Sequence, residues 1–517
     1  MKQILGSRSK LFLLFFVFGT GFTFAIGWLT QFHALGNDYW NILYYGRNMT
    51  LSQPESLYNG FYPFGYAFLI GQMPFTYVLP LSYLLNALLS GLFIASVSTL
   101  VAYTDSIPAT VIAFYSSIAA PFVFQNANTL SPDIGSAAFT AFAVFLLSQN
   151  WLAKEHTELS DSQLILVGVS LGLSFLWRTH AAVSIVAILA GYVLLSGIRP
   201  FRPLMLVAGA LAGVAGIQVI VNLVSGHGPF ETAQAFNLYK FFYGVDWTFT
   251  PGPEDIEDFS LLETITSDPA NAFNLYKPFF LYFVSHVWAA IPAFLISPKG
   301  RYSRFSLFAF IFIFLYAIPI SLSDSARSPV ILMSVFLPSV AVLLATLIEI
   351  VKNHFSSIRW GEWAVTVAFV AFGFQTFYGW ASYDVGLIRA AVAERKVLSV
   401  IEQTLLSNGM TSATEVFSDR YDFYTPNTMP YHGRSIDKWS VDWFWGMEED
   451  YPLLPNDSWE SFAAASKEQG IRFLVLGPNS HYRGDIFPPI YNEEADLDTL
   501  GLHFIGQRGK MRLYEFK

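Results

Sequence analysis

LFLLFFVFGTGFTFAIGWLT, residues 11–30, is an apolar run long enough to cross a lipid bilayer as a helix. A membrane-spanning helix needs about 20 such residues. The run is too long for the core of a signal peptide and no Ala-x-Ala-like cleavage motif follows it, so we interpret it as a retained membrane helix. This run therefore predicts an integral membrane protein.

The composition agrees with a chain that is solvated mostly by lipid. Of the 517 residues, 53% are hydrophobic and only 13% are charged, and the mean hydropathy is +0.44. A soluble domain has about 25% charged residues, so a soluble enzyme of this size is excluded. The chain has no cysteine, which excludes disulfides, thiolate nucleophiles and cysteine-based metal sites.

Similar apolar runs recur along the first three quarters of the chain. On the hydropathy criterion they predict about eleven membrane-spanning helices. The ten further runs lie near residues 80–102, 107–124, 133–149, 163–178, 180–197, 203–224, 279–297, 304–321, 329–351 and 362–382.

Lysine and arginine are concentrated in alternate connections, which marks the cytoplasmic side of the membrane. The N-terminus is then cytoplasmic, and an odd number of spans places the C-terminus outside. A bacterial inner membrane is the expected location. The basic residues of the cytoplasmic set are Lys2, Arg8, Lys10, Lys154, Arg199, Arg202, Lys299, Arg301, Arg304, Lys352 and Arg359.

The outer connections carry most of the polar complexity. They include a first loop over residues 31–79 and a long acidic loop over about 225–277. The inner connections are short and basic. This asymmetry predicts that the protein works on the outer side.

The first loop opens with a single carboxylate, Asp38, among aromatic residues. After it, Tyr39, Trp40, Leu43 and Tyr44 share one helical face. This pattern predicts a short amphipathic helix that lies in the headgroup layer with its aromatic side towards the lipid. Asp38 is either a helix cap or a functional group, because a carboxylate at the bilayer surface is costly unless it is capped, paired or functional.

A soluble domain is predicted from residue 384 to residue 517, after the membrane domain of residues 1–383. Helical patterns cover residues 387–406 and 457–469, and strand patterns cover 414–418 and 471–477. Two final strands are spaced as a hairpin. The fold class is therefore a multi-pass α-helical membrane protein with a small extracytoplasmic α/β domain.

Three short motifs resemble those of the GT-C superfamily of membrane glycosyltransferases. They are GNDYW (36–40), YNGFYPFGYAFL (58–69) and TLSPDIGSAAF (129–139). The resemblance is greatest to the polyprenyl-phosphate-sugar-dependent branch, which includes protein mannosyltransferases and the lipid A aminoarabinose transferase.

The resemblance implies that the protein moves a sugar from a polyprenyl-phosphate-linked donor to an acceptor, with inversion at the anomeric carbon. It implies that Asp38 is the general base. Several relatives carry two adjacent acids where this chain has Asn37 and Asp38. Whether a divalent cation is required is therefore left open, and no other cofactor is expected.

This chemistry also requires cations that stabilise the departing phosphate. The candidates on the outer side are Arg178, His180 and Arg327. For Arg178, a structural ion pair or a side chain that extends to the membrane interface is an equal alternative, and for Arg327 a local pair with Asp324 is. Candidates for binding the sugar or the acceptor are Asp133, Tyr39 and Tyr62. Asp133 is also a good helix start, and the tyrosines also fit an aromatic belt at the membrane surface.

Two other function classes fit a multi-pass chain. One is a transporter or flippase of lipid-linked sugars, which usually shows repeats and charged residues at mid-membrane. The other is a scaffold that anchors the outer domain, but this would need far fewer spans. The expected partners are the lipid donor, the bilayer and a protein, lipid or glycan acceptor. The sequence does not identify the sugar or the acceptor, and no nucleic acid is expected.

Overall fold

The structure is a computed structural model of the whole chain. It describes residues 8–30, 38–58, 62–74, 77–153, 159–195, 201–232, 235–243, 259–287, 295, 302–320, 329–354, 361–412, 415–419, 454–455, 457–478 and 486–517.

The described part of the first 407 residues is almost entirely helical. The helices are α1 (Arg8–Thr30), α2 (Asp38–Asn48), α3 (Phe64–Gly71), α4 (Val78–Ala102), α5 (Ile107–Ala119), α6 (Pro121–Asn128), α7 (Asp133–Leu152), α8 (Asp161–Trp177), α9 (Ala181–Leu195), α10 (Phe201–Val224), α11 (Ala235–Tyr243), α12 (Leu261–Ser267), α13 (Pro269–Val287), α14 (Ser303–Ile320), α15 (Pro329–His354) and α16 (Gly361–Ser407). A single 3₁₀ turn, Pro54–Leu57, lies between α2 and α3.

Ten of the eleven predicted apolar runs lie mainly on one helix each, and the run 107–124 is divided between α5 and α6. Part of the run 279–297 lies outside the described residues. Within the described chain, five helices are long and apolar enough to span a membrane: α1, α4, α10, α15 and α16. The pair α5 and α6 makes a sixth if it is one bent span, and α7, α8, α9 and α14 are shorter apolar helices. The count of eleven crossings stays a prediction.

The pair α5 and α6 bends by 51° at Ala120. Pro121 opens the second helix and has no backbone N–H, so it cannot donate to the preceding turn. The sequence predicted one continuous span over residues 107–124, and the structure divides it at this proline.

Helices α4 and α15 form the centre of the bundle, and α1 and α10 lie on its outside. Buried residues make up 89% of the apolar segment of α15 but only 11% of that of α10. Large apolar side chains such as Leu13, Val17 and Phe201 are exposed on the outer helices. An exposed apolar surface of this extent is typical of a protein that faces lipid.

Contacts between helix ends follow the predicted alternation of the two sides. At one end, Arg8 binds Asp105 at 3.2 Å and the Tyr302 hydroxyl donates to the Thr104 carbonyl at 3.2 Å. At the other end, Arg395 donates to the carbonyl of Leu29 at the end of α1. The assignment of these ends to cytoplasm and exterior stays a prediction.

Most of the described side chains of helix α2 pack against protein. Tyr39, Ile42, Leu43 and Tyr45 are buried in the main hydrophobic core. The prediction that Tyr39 faces the headgroup layer is therefore wrong. The cause is α3, which packs on α2 through the close approach of Gly46 and the backbone of Ala67.

The C-terminal region forms a four-stranded sheet covered by helices on both faces. Its elements are β1 (Val416–Ser418), α17 (Trp459–Glu468), β2 (Phe473–Leu476), α18 (Phe487–Tyr491), β3 (Leu502–Arg508) and β4 (Met511–Phe516). The strand order is β1-β2-β4-β3, with β1 parallel to β2 and the other pairs antiparallel.

Successive residues of β2 face two separate cores, as the alternation of a strand requires. Phe473 and Val475 pack with Leu398, Ile401 and Leu405 from the end of α16. The alternate residues of β2 pack with α17 and α18. The predicted boundary at residues 383 and 384 thus lies inside one continuous helix that contributes to both regions.

Candidate active site

A buried ion pair joins Asp133, the first residue of α7, to Arg178, which follows α8. Nε of Arg178 donates to Oδ1 of Asp133 at 2.9 Å, and Nη2 donates to Oδ2 at 2.8 Å. The Asp133 side chain is 1% exposed and that of Arg178 is 14% exposed. The structure thus shows the ion pair that was one of the alternatives predicted for Arg178. Asp133 does open α7, but its carboxylate is held by Arg178.

Small hydroxyl residues bring α7 and α8 together beneath this pair. Ser174 of α8 lies 2.9 Å from the hydroxyl of Ser136 and 2.9 Å from that of Thr140. Its own hydroxyl also donates to the Ser136 carbonyl. Side chains of this size allow close backbone approach between apolar helices. The ends of α7 and α8 therefore meet, which places Asp133 beside Arg178.

Aromatic residues of the first loop surround the guanidinium. The Cζ atom of Arg178 lies 5.9 Å from the centre of the Tyr62 ring, within the range of a cation–π contact. The Tyr66 ring lies 6.3 Å from the indole of Trp177. On its other side, the same indole contacts Phe139 at 5.2 Å. These rings make a largely apolar wall around one buried positive group.

Tyr39 connects the start of α2 to this wall. Its hydroxyl lies 3.0 Å from that of Ser82, and the Tyr39 side chain is buried. Burial raises the pKa of Tyr39 above its usual value, so the phenol stays protonated. Helix α2 begins at Asp38, one residue before this anchor, and the Asp38 side chain lies outside the described part of the structure.

His180 lies in the turn 178–180, outside both adjacent helices. Burial and, to a smaller extent, the nearby Arg178 lower the pKa of His180 to about 4, although Asp133 opposes the shift. The imidazole is therefore neutral at pH 7. A phosphate-binding role for His180 stays a prediction, and a neutral imidazole can still donate one hydrogen bond. Its Nε2 atom is buried with no hydrogen-bond partner among the described residues.

Two further expectations concern Arg327 and a metal ion. Arg327 lies in the segment 321–328, outside the residues that the structure describes. In the described ranges, no group of three or more His, Asp or Glu side chains is arranged to hold a metal ion.

Sequence reasoning missed three residues of this cluster: Tyr66, Trp177 and Ser82. Tyr66 lies in the motif YNGFYPFGYAFL, four residues after Tyr62, and Trp177 directly precedes Arg178. The sequence therefore placed both residues next to candidates that had already been identified. Ser82 lies in an apolar run without any local signal, because its contact with Tyr39 spans 43 residues.

No protein-family model and no curated protein sequence matches the chain. Solved structures do. The chain superposes on ArnT from Cupriavidus metallidurans bound to undecaprenyl phosphate with a TM-score of 0.51, 13% identity and 97% coverage of both chains. For the same protein in the apo state, the TM-score is 0.51 and the identity is 14%, with 98% coverage of both chains.

A further match is the archaeal oligosaccharyltransferase AglB from Archaeoglobus fulgidus, in complex with an inhibitory peptide and a dolichol-phosphate. The TM-score is 0.42 and the identity 13%, over 95% of this chain and 72% of AglB. The likeness to ArnT extends over nearly the whole of both chains and includes the C-terminal region. The chain therefore shares the fold of ArnT, and several of its apolar helices are long enough to span a membrane.

Proposed function

We propose that the protein is an integral membrane glycosyltransferase that moves a sugar from a polyprenyl-phosphate-linked donor to an acceptor. The GT-C-like fold supports this proposal, because ArnT has the same fold and its crystal structure contains undecaprenyl phosphate. Fold alone does not determine activity, so the proposal depends on the residues of the site.

The observation that carries the proposal is Arg178, a largely buried guanidinium at one end of an apolar bundle, beside Tyr62 and the helix α3. The leaving phosphate gains negative charge when its bond to the anomeric carbon breaks. A guanidinium held in place stabilises such a charge without having to reorganise. Asp133 fixes the orientation of the guanidinium through two hydrogen bonds, and the apolar outer helices offer a surface for the polyprenyl chain.

Asp38 is the proposed general base. The acceptor hydroxyl attacks the anomeric carbon on the face opposite to the phosphate, its proton passes to Asp38, and the carbon–oxygen bond to phosphate breaks. The configuration is therefore inverted. A well-placed base contributes about 10²–10⁴-fold to such a step. Tyr39 anchors the start of α2 through Ser82, which would fix the backbone beside Asp38.

The other candidates take supporting roles in this proposal. Arg178, with His180 as a neutral donor and Arg327, binds the donor phosphate. Tyr62, Tyr39 and Asp133 line the region for the sugar or the acceptor. The reaction takes place on the extracytoplasmic side, and the acceptor is a protein, a lipid or a glycan. A divalent cation remains open as a further requirement.

The test uses purified protein, radiolabelled polyprenyl-phosphate sugars and a membrane extract that supplies acceptors. Wild-type protein transfers label to an acceptor, and Asp38→Asn does not, although it still binds the lipid donor. Asp105→Asn is the matched control, because Asp105 pairs with Arg8 at the opposite end of the bundle. If Asp38→Asn transfers label at the wild-type rate, Asp38 is not the base. If wild-type protein moves labelled lipid across a vesicle membrane without transfer, the protein is a flippase.

A further inference from the structure

Besides Nε2 of His180, two further buried polar atoms beside Arg178 have no hydrogen-bond partner within the described residues. They are the hydroxyl of Tyr66 and Nε1 of Trp177. Both side chains are more than 90% buried. Buried polar groups in native proteins are nearly always hydrogen-bonded, so each such atom requires an explanation. Tyr39 shows the usual arrangement nearby, since its hydroxyl meets that of Ser82.

Both side chains adjoin Arg178, one in sequence and one through its electrostatic interaction. Trp177 directly precedes Arg178 in the chain, and the rings of Tyr66 and Trp177 are 6.3 Å apart. The electrostatic neighbours of the Tyr66 phenol include both Asp133 and Arg178. Burial raises the pKa of Tyr66 well above its usual value, so its hydroxyl remains protonated. The indole nitrogen can only donate. Two hydrogen-bond donors therefore lie beside one cation.

The first turn of α7 adds a further positive end. Its N-cap residue is Pro132, which has no side-chain hydrogen bond to the helix. The N-terminus of a 20-residue helix carries a partial positive charge and backbone N–H groups that favour an anion. Gly135 lies in this turn, and a Cβ atom there would overlap the Trp177 indole. The glycine therefore lets the indole lie directly against the helix start.

We propose that Tyr66 and Trp177 donate hydrogen bonds to phosphoryl oxygens of the lipid donor, beside Arg178. This rests on the proposed function and extends it, because it assigns the phosphate site to two aromatic donors that no charge pattern identifies. A phosphoryl group offers several acceptor oxygens and would satisfy both atoms together. The contact strengthens as charge moves to the phosphate during transfer, since hydrogen bonds to charged acceptors are the stronger ones.

The experiment measures binding of polyprenyl phosphate to wild-type protein, Tyr66→Phe and Trp177→Phe in detergent. Tyr66→Phe removes only the hydroxyl, so we expect an unchanged melting temperature without ligand and about tenfold weaker binding. Tyr45→Phe is the matched control. Its hydroxyl is also buried without a partner among the described residues, but its electrostatic neighbour is Tyr58 and not Arg178. We expect this variant to bind like wild type.

Two ligands, the phosphate lipid without sugar and the sugar-loaded donor, show whether Tyr66 contacts the phosphate or the sugar. The inference requires that Tyr66→Phe weaken binding of the phosphate lipid without sugar as much as binding of the sugar-loaded donor. A loss confined to the sugar-loaded donor would overturn it, because the contact would then be to the sugar. Wild-type affinity of Tyr66→Phe for both lipids would also overturn it while leaving the proposed function intact. No binding of either lipid by wild-type protein would refute both.

Discussion

At the scale of single residues, the pair Asp133–Arg178 joins two helices and, in the proposed function, also holds the group that binds phosphate. The carboxylate of Asp133 and the guanidinium of Arg178 carry opposite charges, so the pair has almost no net charge before a ligand enters. A buried ion pair is weak evidence for stability, because the cost of removing both charges from water offsets their attraction. Its value here lies in orientation, since a guanidinium that is fixed in advance needs no rearrangement when the phosphate gains charge.

Removing one partner of this pair separates stability from activity. We expect Arg178→Met to lower the free energy of unfolding by about 3–5 kcal/mol, because it leaves a buried carboxylate unpaired. The double variant Asp133→Leu/Arg178→Met should recover most of that loss but remain inactive in transfer. Chemical unfolding in detergent and the transfer assay measure the two effects. Strictly additive losses in the double variant would show that the two side chains are not coupled.

His180 predicts how stability changes with pH. Its pKa is about 4 in the folded protein, against 6.5 when it is exposed. The unfolded chain therefore binds the additional proton between these values, and stability falls as the pH is lowered from about 6.5 to about 4. His180→Gln removes this contribution, up to about 3 kcal/mol at pH 4. Melting temperatures of both proteins across this range test it, and parallel curves would contradict a buried neutral imidazole.

The sequence identified the charged residues of the site but not their arrangement. Arg178 and Asp133 stood out because charges are rare in this chain. Their pairing spans 45 residues and depends on how α7 packs on α8, which no local pattern encodes. Tyr66 was hidden for a different reason. An aromatic residue near the membrane surface fits a belt equally well, and only its burial beside the guanidinium separates the two roles.

At the scale of elements, the first loop is anchored to the end of α10 on both sides of Tyr62. On one side the Tyr58 ring stacks on His227 with ring centres 3.7 Å apart. On the other, the backbone N–H of Phe64 donates to Oε1 of Gln218 at 2.8 Å. Helix α10 therefore determines where Tyr62 lies relative to Arg178, although it contributes no residue to the site itself.

This anchoring predicts an effect of Gln218 on the reaction from a distance. Gln218→Leu leaves the Phe64 N–H without its acceptor, so we expect about 1 kcal/mol lower stability and a three- to tenfold rise in the KM for the donor. Gln218→Glu keeps the acceptor oxygen and should restore KM. Steady-state kinetics of the two variants test this. A Gln218→Leu enzyme with an unchanged KM would show that Tyr62 keeps its position without the anchor.

The packing of α2 on α3 depends on two glycines. A Cβ atom at Gly71 would overlap the backbone of Gly46. We therefore expect Gly71→Ala to separate the helices and to cost several kcal/mol of stability, with loss of transfer. Gly209→Ala in α10 is the control, because nothing lies within 4 Å of its Cβ position. This variant should be neutral or slightly stabilising, since alanine favours a helix by about 1 kcal/mol over glycine. Equal melting temperatures of the two variants would contradict the close contact.

Helices were the elements that the sequence predicted best, and the physical cause is the lipid environment. A chain in lipid must satisfy its backbone hydrogen bonds internally, so a long apolar run becomes a helix wherever it occurs. Hydropathy cannot show where such a helix extends into polar sequence. Helix α13 begins at Pro269, ten residues before the predicted run at 279. The final hairpin could also be predicted from the sequence, because β3 and β4 are adjacent in sequence and separated by a tight turn.

At the scale of the whole molecule, α16 connects the bundle to the C-terminal sheet. Its 47 residues extend for about 70 Å at 1.5 Å per residue. Arg395, near its C-terminal end, donates to the carbonyls of Trp28 and Leu29 at the end of α1. The chain continues from α1 towards Asp38. The sheet and the candidate site therefore lie at the same end of the bundle, where a large acceptor can contact both.

The orientation of this end in the membrane can be tested directly, because the chain has no cysteine and any introduced thiol is the only one. Ser52→Cys places a thiol on the exposed first loop, and Ser162→Cys places one on the exposed first turn of α8 at the opposite end. Glu494→Cys reports on the C-terminal domain. These positions are exposed and outside the candidate site, so we expect transfer activity to be kept.

In sealed vesicles of known orientation, a membrane-impermeant maleimide should label Ser52→Cys and Glu494→Cys from the extracytoplasmic side. Ser162→Cys should react from that side only after detergent is added. The polyprenyl-phosphate donor could then meet Arg178 and Asp38 at the outer surface of the membrane. The reverse labelling pattern would place Asp38 on the cytoplasmic side and refute transfer at the outer face. Labelling of Ser52→Cys and Ser162→Cys from one side would instead contradict the alternation of the helices between them.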